Sequence, residues 1–210
     1  PVATFAQNYP AKPVRVVVGF PPGGTNDLVV RAIAQKLSEQ LGQQFVVENR
    51  GGANTAIASE LFARTAAPDG YTLMLNAPGH ATNPSMMKLN FDSMRDFAFI
   101  TIAAESVNLL VSHPSLPPRT VKSLIAFSKQ RPGEVIYGSS GVGTTVHLSG
   151  ALFEYMTGVK WLHVPYKGAG PALIDVIAGN VQLMFDQLGP SLPHIKAGKV
   201  RPLGVTSLQR

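Results

Sequence analysis

The residues best suited to chemistry in this chain gather in four glycine-rich loops. They are Gly19-Phe20-Pro21-Pro22-Gly23-Gly24-Thr25-Asn26-Asp27, Arg50-Gly51-Gly52-Ala53-Asn54-Thr55, Gly138-Ser139-Ser140-Gly141-Val142-Gly143-Thr144-Thr145 and Pro165-Tyr166-Lys167-Gly168-Ala169-Gly170-Pro171. The chemistry they suit is anion binding. Glycine lets a ligand approach the main chain, and a helix start presents unpaired N–H groups with a partial positive charge. For the first loop, an ordinary strand-to-helix connection is the competing reading, because such loops are common in α/β proteins.

Catalytic signatures fail one by one. A dinucleotide fingerprint needs glycines at the first, third and sixth positions. Gly141 and Gly143 are followed by Val146, and Gly168 and Gly170 by Leu173. Ser140 lacks the last glycine of a hydrolase elbow, and no Gly-Lys-Ser or Gly-Lys-Thr occurs. His80, His113, His147, His163 and His194 have no metal-ligand spacing, and the chain has no cysteine, so the sequence implies no metal and no cofactor. No carboxylate pair stands out for acid–base work. Loops rich in donors and poor in catalytic groups favour binding over turnover.

The elements that must position these loops alternate between strand and helix. Strands are expected at Val14–Gly19, Phe45–Glu48, Tyr71–Leu75, Leu109–Ser112, Val135–Tyr137, Trp161–Val164, Val181–Phe185 and Val200–Thr206, with Phe97–Ala104 apolar and extended. Helices are expected at Asp27–Leu41, after the second loop, at Thr120–Gln130, Val146–Thr157, from Pro171 to Ala178 and at Leu192–Ala197. Asn76 to Asn83 reads as a polar loop, with a short helix over Pro84–Lys88. The βα pattern restarts after Ala98–Ala104, which divides the chain into a first lobe, residues 1–100, and a second, residues 101–210. The sheets should be largely parallel, with ligands at their carboxyl ends.

Composition bounds the function classes. The chain has 210 residues, 45% of them hydrophobic and 14% charged, which supports a packed core and excludes a disordered chain. The net charge is +6, yet no two basic residues are adjacent and aromatics make up only 8%, which argues against nucleic acid. A positive surface that attracts acidic solutes fits better. No stretch is long enough to span a membrane. Pro1-Val2-Ala3-Thr4-Phe5-Ala6-Gln7 reads as the small-residue tail around a signal-peptide cleavage site.

These loops carry a resemblance. Tyr9-Pro10-Ala11-Lys12-Pro13-Val14-Arg15, Val18–Asp27, Val46-Val47-Glu48-Asn49-Arg50-Gly51-Gly52-Ala53, Ala67-Pro68-Asp69-Gly70-Tyr71-Thr72-Leu73, His163-Val164-Pro165-Tyr166-Lys167-Gly168 and Leu192–Lys199 resemble the solute-binding proteins of tripartite tricarboxylate transporters, the TctC or Bug family. The likeness runs from Tyr9 onward; Thr25-Asn26 departs from the commoner Ser-Ala. It implies a periplasmic, two-lobed Venus-flytrap fold, the type II periplasmic-binding-protein fold, lacking the C-terminal return segment of the family. It implies a receptor, not an enzyme, that captures a small carboxylate (a dicarboxylate, amino acid or related organic acid) for membrane permease subunits, without nucleic acid and without inserting into the membrane itself. The ligand-binding positions it implies are Phe20, Pro21, Gly23, Gly24, Thr25 and Asn26 in the first lobe. In the second they are Ser139, Ser140, Gly141, Thr144, Thr145 and His147, with Tyr166, Lys167 and Gly168 nearby. Asn76, His80 and Asp186 complete the set at strand ends. The alternatives are an α/β enzyme acting on a small anionic substrate through Ser140 or His147, and a sensing protein for aromatic acids.

Overall fold

The computed structural model describes residues 9–207, so the expected cleavage-site segment lies outside the described residues. Strand and helix alternate as β1(Val14–Val18), α1(Thr25–Leu41), β2(Phe45–Asn49), α2(Ala56–Thr65), β3(Thr72–Leu75), α3(Gly79–Met86), β4(Asn108–Ser112), α4(Val121–Gln130), β5(Ile136–Ser139), α5(Thr145–Thr157), β6(Leu162–Pro165), α6(Ala169–Ala178), β7(Leu183–Gln187), α7(Leu188–Lys196) and β8(Arg201–Val205). No described helix is long and apolar enough to cross a membrane.

Two sheets result. The first has the order β2-β1-β3, with β1 parallel to both neighbours. β1 is the β-branched run Val-Arg-Val-Val-Val, and Val14 and Val18 are fully buried against Val30, Ala34 and Phe45. Gly42 ends α1 at φ 70, where only glycine is unstrained, and returns its N–H to the Ser38 carbonyl. The second sheet has the order β6-β5-β7-β4-β8 around a larger core that includes Leu110, Leu124, Tyr137, Val176 and Met184. Inside it, Trp161 Nε1 donates to Ser128 Oγ at 2.9 Å.

Two expectations are corrected. The second sheet is mixed, because β4 runs against both β7 and β8. β4 is entered from the long segment after α3, not through a helical crossover, so no βαβ handedness constrains its direction. The apolar segment expected to be extended at Phe97–Ala104 joins neither sheet, and its Phe99, Ile100 and Ile102 are exposed. The loop expected at Asn76–Asn83 and the short helix expected at Pro84–Lys88 merge into α3, with Pro84 inside it. Tertiary bonds outweigh the proline there: His80 Nε2 bonds the Ser93 carbonyl at 2.8 Å, and Asn83 Nδ2 donates to the Asn54 carbonyl at 2.8 Å.

Candidate functional site

The first glycine loop is shaped by a buried carboxylate. Asp27 accepts from Gly23 N at 2.9 Å, from Arg31 Nε at 3.0 Å and from Asn49 Nδ2 at 2.9 Å, while Asn49 also donates to the Phe20 carbonyl at 3.0 Å. Burial alone would raise the Asp27 pKa; the bonds from Arg31, Gly23 and Asn49 outweigh it and hold the group below its ordinary value. The N-cap of α1 is therefore Gly24, with no side chain capping it. α1 starts at Thr25, two residues before the expected Asp27, and with no side-chain cap its start is open to a ligand.

The third and fourth loops are tied together. Ser140 Oγ donates to Thr144 Oγ1 at 3.0 Å, Thr144 Oγ1 donates to the Gly141 carbonyl at 2.8 Å, and the Gly168 N–H donates to the Ser140 carbonyl at 3.2 Å. Gly168 has φ 120 and caps α6 without a side chain. The Gly143 N–H donates to His147 Nδ1 at 3.2 Å, which places the ring proton on Nε2. His147 stacks on His163 at 4.4 Å, and His163 Nε2 lies 2.7 Å from Ser139 Oγ. Burial pushes both rings down. His163 reaches about 4 with His147 adding to the effect, and for His147 the nearby Glu154 opposes it.

The loops open onto one cavity of about 260 Å³ between the two sheets. Its wall includes the N-cap residues of five helices: Gly24 of α1, Pro78 of α3, Thr144 of α5, Gly168 of α6 and Gln187 of α7. Only α5 has a side-chain cap, Thr144 Oγ1 accepting from His147 N at 3.3 Å. Among the described residues Lys167 is the one charged group on the wall, and no carboxylate lies there. Across the gap, Thr82 Oγ1 donates to the Gly143 carbonyl at 3.3 Å.

Of the positions expected from sequence, the cavity brings together Phe20, Pro21, Gly23, Gly24, Thr25 and Asn26 from one side. Ser140, Thr144, Thr145, Lys167 and Gly168 meet them from the other. The remaining positions stand behind the wall. Ser139 is fully buried in its pairing with His163, and Gly141, His147 and Tyr166 support the loops; Tyr166 Oη donates to Asp175 at 2.6 Å. Asn76 accepts a long bond from Ser59 at 3.5 Å. His80 is buried and packs on Phe91, Phe97 and Phe99, so it belongs to a small aromatic core. Asp186 is fully buried and accepts from Ser191 Oγ at 2.6 Å.

Sequence reasoning missed Gln187 and Asn54, both on the wall. Alternation along β7 explains Gln187: adjacent residues point to opposite faces, so Asp186 turns inward and Gln187 toward the cleft. Asn54 lies in the second glycine loop, whose Ala53, Asn54 and Thr55 all have positive φ, at 46, 48 and 76. A run of three left-handed non-glycine residues leaves no pattern in sequence. The geometry also bears on hydrolytic chemistry: Ser140 is bonded to Thr144, not to His147.

Two sheet-centred lobes flanking one donor-lined cleft define a solute-binding protein of the Venus-flytrap class. Distant solved structures share that fold alone, among them PhnD1 from Prochlorococcus marinus (16% identical, TM-score 0.59, covering 92% of this chain and 72% of PhnD1). The family model described as tripartite tricarboxylate transporter family receptor, TctC, matches residues 29–210, and the chain belongs to that family. Bordetella pertussis protein BugT is 36% identical over 208 residues, covering 98% of this chain and 64% of BugT. Rhodopseudomonas palustris MatC, solved with bound malate, is 30% identical with a TM-score of 0.88, covering 96% of this chain and 69% of MatC. R. palustris Rpa4515, solved with adipate, is 43% identical with a TM-score of 0.91, covering 96% and 68%. The chain spans 60–64% of the length of the curated relatives it matches first.

Proposed function

We propose that this protein is a periplasmic receptor that captures a small carboxylate and delivers it to the membrane permease of a tripartite transporter. The observation that carries this reading is the convergence of five helix starts, four without a side-chain cap, on one cavity with Lys167 and no carboxylate on its wall. Helix dipoles and main-chain N–H groups stabilise negative charge by about 0.3–1 kcal/mol each, and more when partly buried. Opposed sets of them suit an acid with a charge at each end. The cavity, at about 260 Å³, lies just below the ~300–1,000 Å³ range of small-molecule sites, which suits a compact metabolite. Adipate in Rpa4515 and malate in MatC support the same ligand class.

In this reading Gly24, Thr25 and Asn26 hold one end of the ligand, while Thr145, Lys167 and Gly168 hold the other. Their division between two lobes makes binding and closure one event. Calorimetry against a panel of mono-, di- and tricarboxylates tests it. A dicarboxylate should bind and raise Tm with concentration, as mass action requires. Absence of binding across the whole panel would remove the proposal.

A further inference from the structure

We propose that Gly170 sets the length of the acid this site accepts: its bare main chain is the floor on which one ligand carboxylate rests. This rests on the carboxylate reading above and deepens it. The other glycines of the wall each have a reason within the protein. Gly23 and Gly168 sit at φ 85 and 120, where a side chain is strained. At Gly79 an added Cβ would lie 2.5 Å from the Asn54 amide, and Gly24 is a helix N-cap, a position that suits glycine. Gly170 has no such reason. It is the second residue of α6 and lies outside the left-handed region. A Cβ added there would meet nothing within 4 Å beyond its chain neighbours and its own helix backbone.

Where the backbone permits it, alanine in place of glycine stabilises a protein by restricting the unfolded chain. Glycine at 170 therefore costs stability and makes room for no other part of the fold. What it leaves is open space over an exposed stretch of the cavity wall.

That space lies over a pair of donors. A helix start leaves four N–H groups without a partner inside the helix, here those of residues 168–171. The Gly168 N–H is spent on the Ser140 carbonyl at 3.2 Å, and Pro171 has no N–H. Ala169 and Gly170 remain, and both line the cavity. Two adjacent N–H groups match the two oxygens of one carboxylate, and Lys167 on the same wall adds charge. A carboxylate is the end of a dicarboxylate. A methyl group on this floor would therefore keep the donors and shorten the cavity along the ligand by roughly one methylene.

Calorimetry of the wild type, Gly170→Ala and Gly189→Ala against the unbranched dicarboxylates from oxalate to pimelate tests this, together with the Tm of each protein without ligand. Gly189 is the matched control: it is the second residue of α7, precedes a proline as Gly170 does, and has nothing within 4 Å of an added Cβ. It faces a neighbouring recess beside Glu105 and Val107 instead of this cavity. Gly170→Ala should keep or raise the unliganded Tm, by up to about 4 °C. The acid that the wild type prefers should lose about tenfold or more in affinity, and longer acids should lose more than shorter ones. Gly189→Ala should show a similar Tm and hold every affinity within about twofold of the wild type. Unchanged affinities in Gly170→Ala, an equal loss at every length, a lower unliganded Tm, or the same loss in Gly189→Ala each overturn the proposal while the carboxylate reading stands. Wild-type binding of mono- or tricarboxylates but of no dicarboxylate does so too. Binding of no carboxylate at all removes the carboxylate reading and this proposal together.

Discussion

At the scale of single residues, a half-buried histidine pair and a buried aspartate set opposite pH dependences. His163 is pushed down to about 4 and His147 is pushed down from 6.5, so the folded protein keeps both rings neutral where the unfolded chain binds protons. The stabilisation is complete above pH 6.5 and drains away as pH falls toward about 4. After allowing for solvent screening at these half-buried rings, the loss is about 1–3 kcal/mol. Urea unfolding at neutral and acidic pH measures it. His163→Gln, which keeps a partner for Ser139, should lose less stability on acidification than the wild type; an equal loss in both would place the effect elsewhere. Asp186 works in the other sense. Burial raises its pKa, against the Ser191 hydroxyl, the Gln187 N–H and His194, so the fold favours the neutral acid and loses stability as pH rises through the unfolded value. Asp186→Asn keeps an acceptor for Ser191 and removes the buried charge. It should raise Tm by about 2–5 °C near neutral pH, with the gain vanishing near pH 4. A lower Tm at neutral pH would show that the ionised carboxylate is favoured.

At the scale of elements, α5 ties the third glycine loop to the larger core. Gly150 on α5 faces Tyr137 of β5, and an added Cβ would lie 2.4 Å from the ring. Alanine normally gains about 1 kcal/mol over glycine within a helix. Overpacking a fully buried ring costs about 1–3 kcal/mol, so the clash should prevail. Gly150→Ala should therefore lower stability in urea unfolding and weaken ligand binding together, because the same helix begins at Thr145 on the cavity wall. A stabilised variant would mean that α5 can shift off β5 freely. Most elements were legible at this scale, since β-branched runs and 3.6-residue stripes flank each glycine loop. α3 was not, because Pro84 reads as the start of a short helix after a polar loop, and only the bonds of His80 and Asn83 to distant chain show that the helix begins earlier, at Gly79. The segment before β4 reads as apolar and extended, and the structure pairs it with no strand among the described residues.

At the scale of the whole molecule, closure in the proposed receptor would depend on contacts across the gap between the sheets, such as Thr82 with Gly143. Gly143 has φ 81, and an added Cβ would lie 2.9 Å from Asn54 Nδ2 and 3.0 Å from Met86 Sδ. Gly143→Ala should therefore hold the two halves apart and reduce ligand affinity about tenfold or more, through both backbone strain and contact. Calorimetry and small-angle scattering with and without ligand measure this; unchanged affinity and unchanged compaction would show that the gap closes elsewhere. What the sequence determined by itself was local: four glycine loops after strands and before helices, the alternation that makes an α/β fold, and the lack of a catalytic pattern. These follow from backbone preferences and hydrophobic period, which act over a few residues. Only the tertiary structure decided that His80 and Asp186 turn into cores, that Gln187 and Asn54 reach the cavity, and that β4 runs against its neighbours. Each of those depends on which distant segment supplies a hydrogen-bond partner or an apolar face, and that is settled when the chain packs, not along its length.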